Sequence, residues 1–357
     1  MKIFSVIGAR PQFIKAAMVS RQLAALGQQE RLIHTGQHFD PEMSAIFFEQ
    51  LGLPEPAYYL GIGGTSHGAM TGRMLEALEA VFLTEKPDWV LVYGDTNSTL
   101  AAALAAVKLQ IPLAHVEAGM RSFNRAMPEE INRVLVDHVS ELLFVTGQEP
   151  VRLLAAEGIS RGIHCVGDVM YDAVLTFLPA ARQSGIRAQL QLEGQAFGLV
   201  TLHRAENTDE PARLRIWLKE LENLSRHLQL VFPVHPRTRK AIAQILPDWQ
   251  PEGIRLLEPL GYLEMLSLQQ AAALVLTDSG GVQKEAFYLG VPCLTLRKET
   301  EWMETVHSGW NRLVGDRPQD LLTLAQQILA QPPAGPPPPL YGDGTASRMI
   351  ADILAAR

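Results

Sequence analysis

Carboxylates, histidines and one serine-glycine turn recur in this chain at the ends of short apolar runs, which is where side chains can do chemistry. The clearest case is the run Ala272-Ala273-Leu274-Val275-Leu276. It breaks at Thr277-Asp278-Ser279-Gly280-Gly281 and resumes as Val282-Gln283-Lys284-Glu285-Ala286-Phe287, a pattern that reads as strand, tight turn and helix. A serine and two glycines at such a turn let backbone N–H groups approach an anion closely, and the helix dipole adds positive partial charge. A phosphate held by Ser279, Gly280 and Gly281 is the natural guest. Glu285 follows about one helical turn later, in reach of a sugar diol beside that phosphate, to which its carboxylate can accept two hydrogen bonds. Together they suggest a nucleotide. The plain alternative is a strand-to-helix turn with Glu285 solvated, because short glycine motifs match often by chance.

A second set of groups suits proton transfer. Gly94-Asp95-Thr96 closes one apolar run, His115-Val116-Glu117-Ala118-Gly119 closes the next, and Pro128-Glu129-Glu130-Ile131-Asn132-Arg133 opens a helix. Crowding and burial can raise one carboxyl pKa while another group stays ionised, the division of labour that acid/base catalysis needs. For Glu129 and Glu130 alone, satisfying the helix dipole is the simpler explanation. Arg10 and Lys15, after Gly8-Ala9, place two cations at a helix start where Pro11 suits the first turn; an anion is their expected guest. His203, in Thr201–Asn207, and His235, before Pro236, close two more strands on the side of the Ser279 turn, which favours at least one of them in the site. No histidine pair has compact ligand spacing, so no metal is expected. Gly61-Ile62-Gly63-Gly64 does not match the dinucleotide fingerprint, so no nicotinamide cofactor is supported.

These groups must be positioned by a repeating scaffold. The candidate strands are Ile3–Ile7, Arg31–His34, Trp89–Tyr93, Pro112–Val116, Leu142–Val145 and Ile163–Val166, then Gly198–Leu202, Leu230–Val234, Ile254–Leu257, Leu274–Leu276 and Pro292–Leu296. Helical stretches such as Lys15–Leu26 and Ser98–Lys108 separate them, which predicts βαβ units, parallel sheets and two doubly wound α/β domains. The 357 residues, 47% hydrophobic and 19% charged, suffice for two cores. The boundary falls near Asp168–Glu193. In open sheets of this kind ligands bind beyond the carboxyl ends of the strands, so a two-domain version predicts a site in the cleft. Gln331–Pro339 reads as an extended connector, and Ala346–Ala356 as a last amphipathic stretch able to pack back on either domain.

A net charge of −7 argues against a nucleic-acid partner. Cys165 and Cys293, the chain's two cysteines, form no framework and fit a reducing cytoplasm. The opening run Met1–Gly8 is too short for a signal peptide or a membrane span.

At this level of detail the chain resembles the non-hydrolysing UDP-N-acetylglucosamine 2-epimerases. The motifs that carry the resemblance are Gly8–Pro11, His115–Gly119, Pro128–Arg133, His203–Asn207, Asp278–Ala286 and Tyr341-Gly342-Asp343-Gly344, in that order along almost the whole chain. The resemblance implies two Rossmann-like domains in the glycosyltransferase-B arrangement: residues 1–170 with the acid/base groups, 171–345 binding UDP, and a C-terminal helix at 346–357. It implies a homodimer acting on a UDP-sugar, with no cofactor, by loss of UDP to a 2-acetamidoglucal and re-addition. It makes Asp95, Glu117, Glu129 and His203 the acid/base candidates. Arg10, Lys15 and His235 join Ser279, Gly280, Gly281 and Glu285 on the substrate and nucleotide. The chain departs from the best-known members at Trp302-Met303-Glu304, where they carry Arg-Pro-Glu, and Gly61–Arg73 lacks the basic residue of substrate-activated members. With Arg121–Arg125, both features look like the branch acting on UDP-2,3-diacetamido-glucuronate. A UDP-sugar-dependent glycosyltransferase and a non-catalytic UDP-sugar sensor are the rival readings, since fold alone does not separate them.

Overall fold

The computed structural model describes residues 1–37, 48 and 50–357, the side chain of Arg10 excepted. The chain forms two compact units, Met1–Leu175 with Pro339–Arg357, and Thr176–Pro338. The first crossing lies inside the helix Val169–Arg182 and the second at the end of the proline-rich connector. Residues 339–345, which the sequence assigns to the second domain, belong to the first unit. The reason is a set of local bonds: Asp168 N donates to the Tyr341 carbonyl (2.9 Å), and Asp172 accepts from Ser347 N and Oγ (both 2.6 Å). The last helix, Ala346–Ala355, thereby starts on a carboxylate and packs on the helix Arg10–Ala25, as a helix N-terminus favours.

The first unit is built on strands β1 (Lys2–Ile7), β2 (Gln29–His34), β3 (Tyr58–Tyr59), β4 (Trp89–Tyr93), β5 (Leu113–Ala118), β6 (Leu142–Val145) and β7 (Ile163–Cys165). They pair in parallel in the order β3-β2-β1-β4-β5-β6-β7. The second unit carries β8 (Phe197–Thr201), β9 (Gln229–Pro233), β10 (Ile254–Leu257), β11 (Leu274–Thr277), β12 (Cys293–Thr295) and β13 (Asn311–Leu313), parallel in the order β10-β9-β8-β11-β12-β13. Both are Rossmann-like sheets. In each, the order reverses beside the first strand, and the crevice for a ligand opens beyond the strand ends at that reversal: between β1 and β4 in one unit, between β8 and β11 in the other.

Helices on both faces explain why the strands read as continuous apolar runs. In β11, Leu274 and Leu276 enter a core with Trp217, Leu221 and Leu230, while Val275 points into the opposite core with Leu199 and Val231. The turn after β1 shows how tightly the switch point is drawn. A Cβ on Gly8 would lie 2.1 Å from Thr35 Oγ1 and 2.3 Å from Ser98 Oγ, so only glycine fits. The following helix begins at Arg10, earlier than the expected Lys15, because the Gln12 side chain accepts from Gly8 N (2.8 Å) and Ala9 N (3.0 Å).

His34, at the end of β2, gives the first unit a pH dependence. Its ring is buried against Phe13 and Tyr59, at 5.2 and 4.9 Å between centroids, and its Nδ1 accepts from Gly36 N at 3.0 Å. Burial lowers its pKa from 6.5 to about 4. Between those values the unfolded chain binds the proton and the folded chain does not. The contribution is therefore full above pH 6.5 and is lost as pH falls toward 4, at up to about 1.4 kcal/mol per pH unit. We expect His34→Phe, which titrates nothing and keeps a ring in place, to flatten thermal stability across that window. An acid limb as steep as that of the parent contradicts the assignment.

Candidate active site

In the first unit, the ends of β4 and β5 and the start of the helix Pro128–Val139 gather the expected acids. Glu117 pairs with Lys15 at 2.7 Å, the side chains 13% and 6% exposed. A Cβ on Gly94 would lie 3.7 Å from Lys15 Nζ and 3.8 Å from Glu117 Oε1, so the pair sits against the Gly94-Asp95 turn. Asp95 forms an ion pair with Arg133, and its carbonyl accepts from Asn132 Nδ2 at 2.8 Å. Gln12, reaching from the helix after β1, places its Nε2 2.7 Å from the Tyr93 carbonyl and 3.0 Å from Thr96 Oγ1. The two turns that flank the switch point are thus fastened to each other.

Glu117 is not in a turn after its strand, as the sequence suggests. It lies inside β5 at a register shift between Val116 and Ala118, with φ +69°. A left-handed backbone at a residue with a side chain is strained, and a bulge re-aims that side chain; strain of this kind collects at functional sites. The two acids of the helix first turn part company. Glu130 is buried and structural, accepting from Ser122 N (2.8 Å), Phe123 N (2.9 Å) and Arg133 (3.1 Å). Glu129 is half-buried, with no hydrogen bond or ion pair among the described residues. Lys15, expected beside an anionic guest, has a carboxylate of its own unit as partner. Arg10 opens its helix, its side chain outside the described residues.

In the second unit, His203 follows the end of β8 by two residues and Asp278 follows the last residue of β11. Asp278, fully buried, accepts from His203 N (3.0 Å), Arg204 N (2.9 Å) and Asn207 Nδ2 (3.1 Å), with His203 Nδ1 at 3.3 Å. His203 is 36% exposed, and its ring lies 5.5 Å from that of His235. His235 caps the helix Pro236–Ile245, its Nδ1 accepting from Arg237 N at 3.2 Å. Ser279 is the cap residue of the helix Gly280–Tyr288 and makes no side-chain capping bond. The first N–H groups of that helix have no intrahelical acceptor, and Ser279, Gly280 and Gly281 are half-buried, so an anion can reach them. Glu285 sits further along the same helix, buried, accepting from Gln269 Nε2 at 2.7 Å. The structure thus brings His203, His235 and the Ser279 turn to one sheet's switch point, and Asp95, Glu117 and Lys15 to the other's.

The family model described as UDP-N-acetylglucosamine 2-epimerase matches residues 21–355. The chain belongs to that family. It is 51% identical, over 99% of each chain, to the UDP-2,3-diacetamido-2,3-dideoxy-D-glucuronate 2-epimerase of Pseudomonas aeruginosa. It is 44% identical, again over 99% of each, to the UDP-N-acetylglucosamine 2-epimerase of Methanocaldococcus jannaschii. The crystal structure of the M. jannaschii UDP-GlcNAc 2-epimerase in complex with UDP-GlcNAc and UDP superposes with a TM-score of 0.93, 43% identity and full coverage of both chains. The Neisseria meningitidis UDP-GlcNAc 2-epimerase bound to UDP-GlcNAc gives 0.91 at 31% identity, also with full coverage. The protein is therefore an isomerase with two Rossmann-like domains of the glycosyltransferase-B type.

Within this epimerase fold, sequence reasoning passed over several residues that hold the site. Arg133 and Gln12 fasten the Asp95 turn, and Asp278 fixes the His203 backbone. Arg297, 1% exposed, pairs with Glu301 at 3.1 Å and Glu206 at 3.3 Å. Trp302, which the sequence had already singled out, is buried; a Cβ on Gly280 would lie 3.2 Å from its Nε1, and Lys284 Nζ lies 3.9 Å from its ring centroid. The sequence offered one signal for these: each lies within or beside a motif already singled out. Among the described residues no group of three or more His, Cys, Asp or Glu could hold a metal ion, and no helix is long and apolar enough to cross a membrane.

Proposed function

We propose that this epimerase inverts C2 of a UDP-linked 2-acetamido sugar, of the UDP-GlcNAc/UDP-ManNAc type, by eliminating UDP and adding it back. The observation that carries the reading is the cluster of Glu117, Lys15 and the Asp95 turn at the switch point of the first sheet. A carboxylate takes the C2 proton, and the C2–H electron pair becomes the C1=C2 bond of a 2-acetamidoglucal. The C1–O bond breaks, its pair leaving on the β-phosphate oxygen of UDP. Re-addition forms C1–O again while a proton arrives at the opposite face of C2. Neither step oxidises or reduces the sugar, so the sequence as written calls for no oxidant or reductant.

In this reading Asp95, Glu117, Glu129 and His203 divide the acid/base work. Arg10 and Lys15 meet the diphosphate and its developing charge. Ser279, Gly280 and Gly281 bind phosphate through backbone N–H groups, with His235 beside them, and Glu285 holds the ribose. Glu285→Gln keeps the volume and removes the charge that strengthens its hydrogen bonds. UDP affinity is expected to fall by about 1.5–3 kcal/mol, read by titration calorimetry; an unchanged isotherm removes Glu285 from the nucleotide site.

The 51% relative and the Trp302 substitution favour a second substrate, UDP-2,3-diacetamido-glucuronate. The test is to incubate dialysed, chelator-treated protein with each UDP-sugar and separate the epimers. An epimer from either supports the reaction and selects the substrate. UDP release without an epimer, or activity restored only by NAD or a divalent metal, overturns it. A homodimer in a reducing cytoplasm, supplying a UDP-amino sugar to polysaccharide biosynthesis, completes the proposal. Ile131, Leu135 and Val139, exposed at four-residue spacing on one helix, support self-association, and a single-chain mass by light scattering contradicts it.

A further inference from the structure

We infer that His115, Asp137 and Arg121 form a buried clamp that sets the spacing of the three candidate carboxylates, and that His115 and Asp137 are positioning residues for proton transfer at C2. The inference rests on the acid/base reading above.

His115 lies in β5 two residues before Glu117, and Asp137 lies on the helix whose first turn holds Glu129. Both are buried. His115 Nδ1 is 2.8 Å from Asp137 Oδ1, and its Nε2 is 2.7 Å from the carbonyl of Gly94, the neighbour of Asp95. One imidazole therefore ties together the three elements that carry Glu117, Glu129 and Asp95. Asp137 Oδ2 accepts from Gly119 N at 3.0 Å and from Arg121 Nη1 at 2.7 Å. With His115 before Glu117 and Gly119 and Arg121 after it, Asp137 grips both sides of the residue whose backbone is strained at φ +69°. Arg121 is held in turn by Glu157, whose carboxylate oxygens accept from Nε and Nη2 at 2.7 Å each. Burial alone raises the pKa of a carboxyl, but His115 and Arg121 outweigh it and hold Asp137 below the usual range.

Both ring nitrogens of His115 are engaged, one by the Asp137 carboxylate and one by the Gly94 carbonyl, so the ring has a fixed orientation. None of these groups is a reacting acid or base in the proposed chemistry. Their work is geometric, and a displacement of about 1 Å in a reacting group can cost roughly 100-fold in rate.

The test compares the full-length protein with Asp137→Asn and His115→Asn, measuring kcat and KM for epimer formation and UDP affinity by calorimetry. The expected result is a kcat lowered about 10- to 100-fold, with KM and UDP affinity within about threefold of the parent. A kcat that stays at the parental value, or that falls only in step with UDP affinity, overturns the clamp. If the parent turns over and the variants match it, the positioning role alone fails; if the parent forms no epimer, the acid/base reading fails and the clamp with it. A second measurement requires no variant. The amide proton of Gly119, which is donated to Asp137 in the parent, is expected to exchange with solvent as slowly as the core amides of β5, and fast exchange contradicts the clamp.

Discussion

Replacing Glu117 with Gln is expected to lower epimer turnover by about 10²- to 10⁴-fold, the usual worth of one acid/base group, while UDP affinity changes little. Gln has the shape of Glu and asks nothing new of the backbone at φ +69°, so the loss reads out the carboxylate and not the fold. Lys15 also loses its charged partner in Glu117, which leaves an unpaired buried ammonium; thermal unfolding and UDP calorimetry on the variant separate that effect from chemistry. Asp95→Asn and Glu129→Gln belong to the same experiment. Asp95→Asn breaks the ion pair with Arg133, whereas Glu129 has no bond among the described residues to break. A rate loss at Glu129 is therefore the purest evidence for a chemical role. Interacting carboxyls titrate as a set, so the pH profile of each variant describes the cluster. Near-normal turnover in all three variants sinks the carboxylate mechanism and moves attention to His203.

The second large effect is at Asp278. Its carboxylate is fully buried and receives two backbone N–H groups, the Asn207 amide and the His203 ring. Asp278→Ala removes the one acceptor that these donors share, and a buried donor left without its partner costs about 1–3 kcal/mol. Because the same bonds fix the backbone of His203, we expect lost stability together with weaker UDP binding. Asn207 carries the damage further. Its Nδ2 also donates to the Leu296 carbonyl at 3.0 Å, and its Oδ1 accepts from Trp217 Nε1 at 2.9 Å. Denaturant unfolding and UDP calorimetry check the expectation. A variant with parental stability and parental affinity shows that Asp278 does not organise this end of the sheet.

The cadence of apolar runs was enough to predict both parallel sheets, because strands buried on both faces announce themselves without their partners. Elements that depend on distant residues did not announce themselves. β3 and β13, with two and three residues, are too short to show a period. The bulge that carries Glu117 is held by Asp137, twenty positions further on, and the return of Tyr341 to the first unit is fixed by Asp168. The candidate site divides in the same way. Its acids and its serine-glycine turn were legible because they stand in or beside strand ends and at a helix start, and the switch points put strand ends where a ligand binds. The residues that aim them were not. Gln12, His115, Arg133 and Asp278 act through partners that only the fold supplies, and so does the pairing of Lys15 with Glu117.

The central claim is that C2 loses and regains a proton. It is tested most directly by letting the parent protein, dialysed and free of added cofactor, act on its UDP-sugar in D2O and following C2 by proton NMR. The account predicts that the epimer carries deuterium at C2, the C2 signal vanishing as the epimer forms. An epimer that keeps its original hydrogen at C2 contradicts the account.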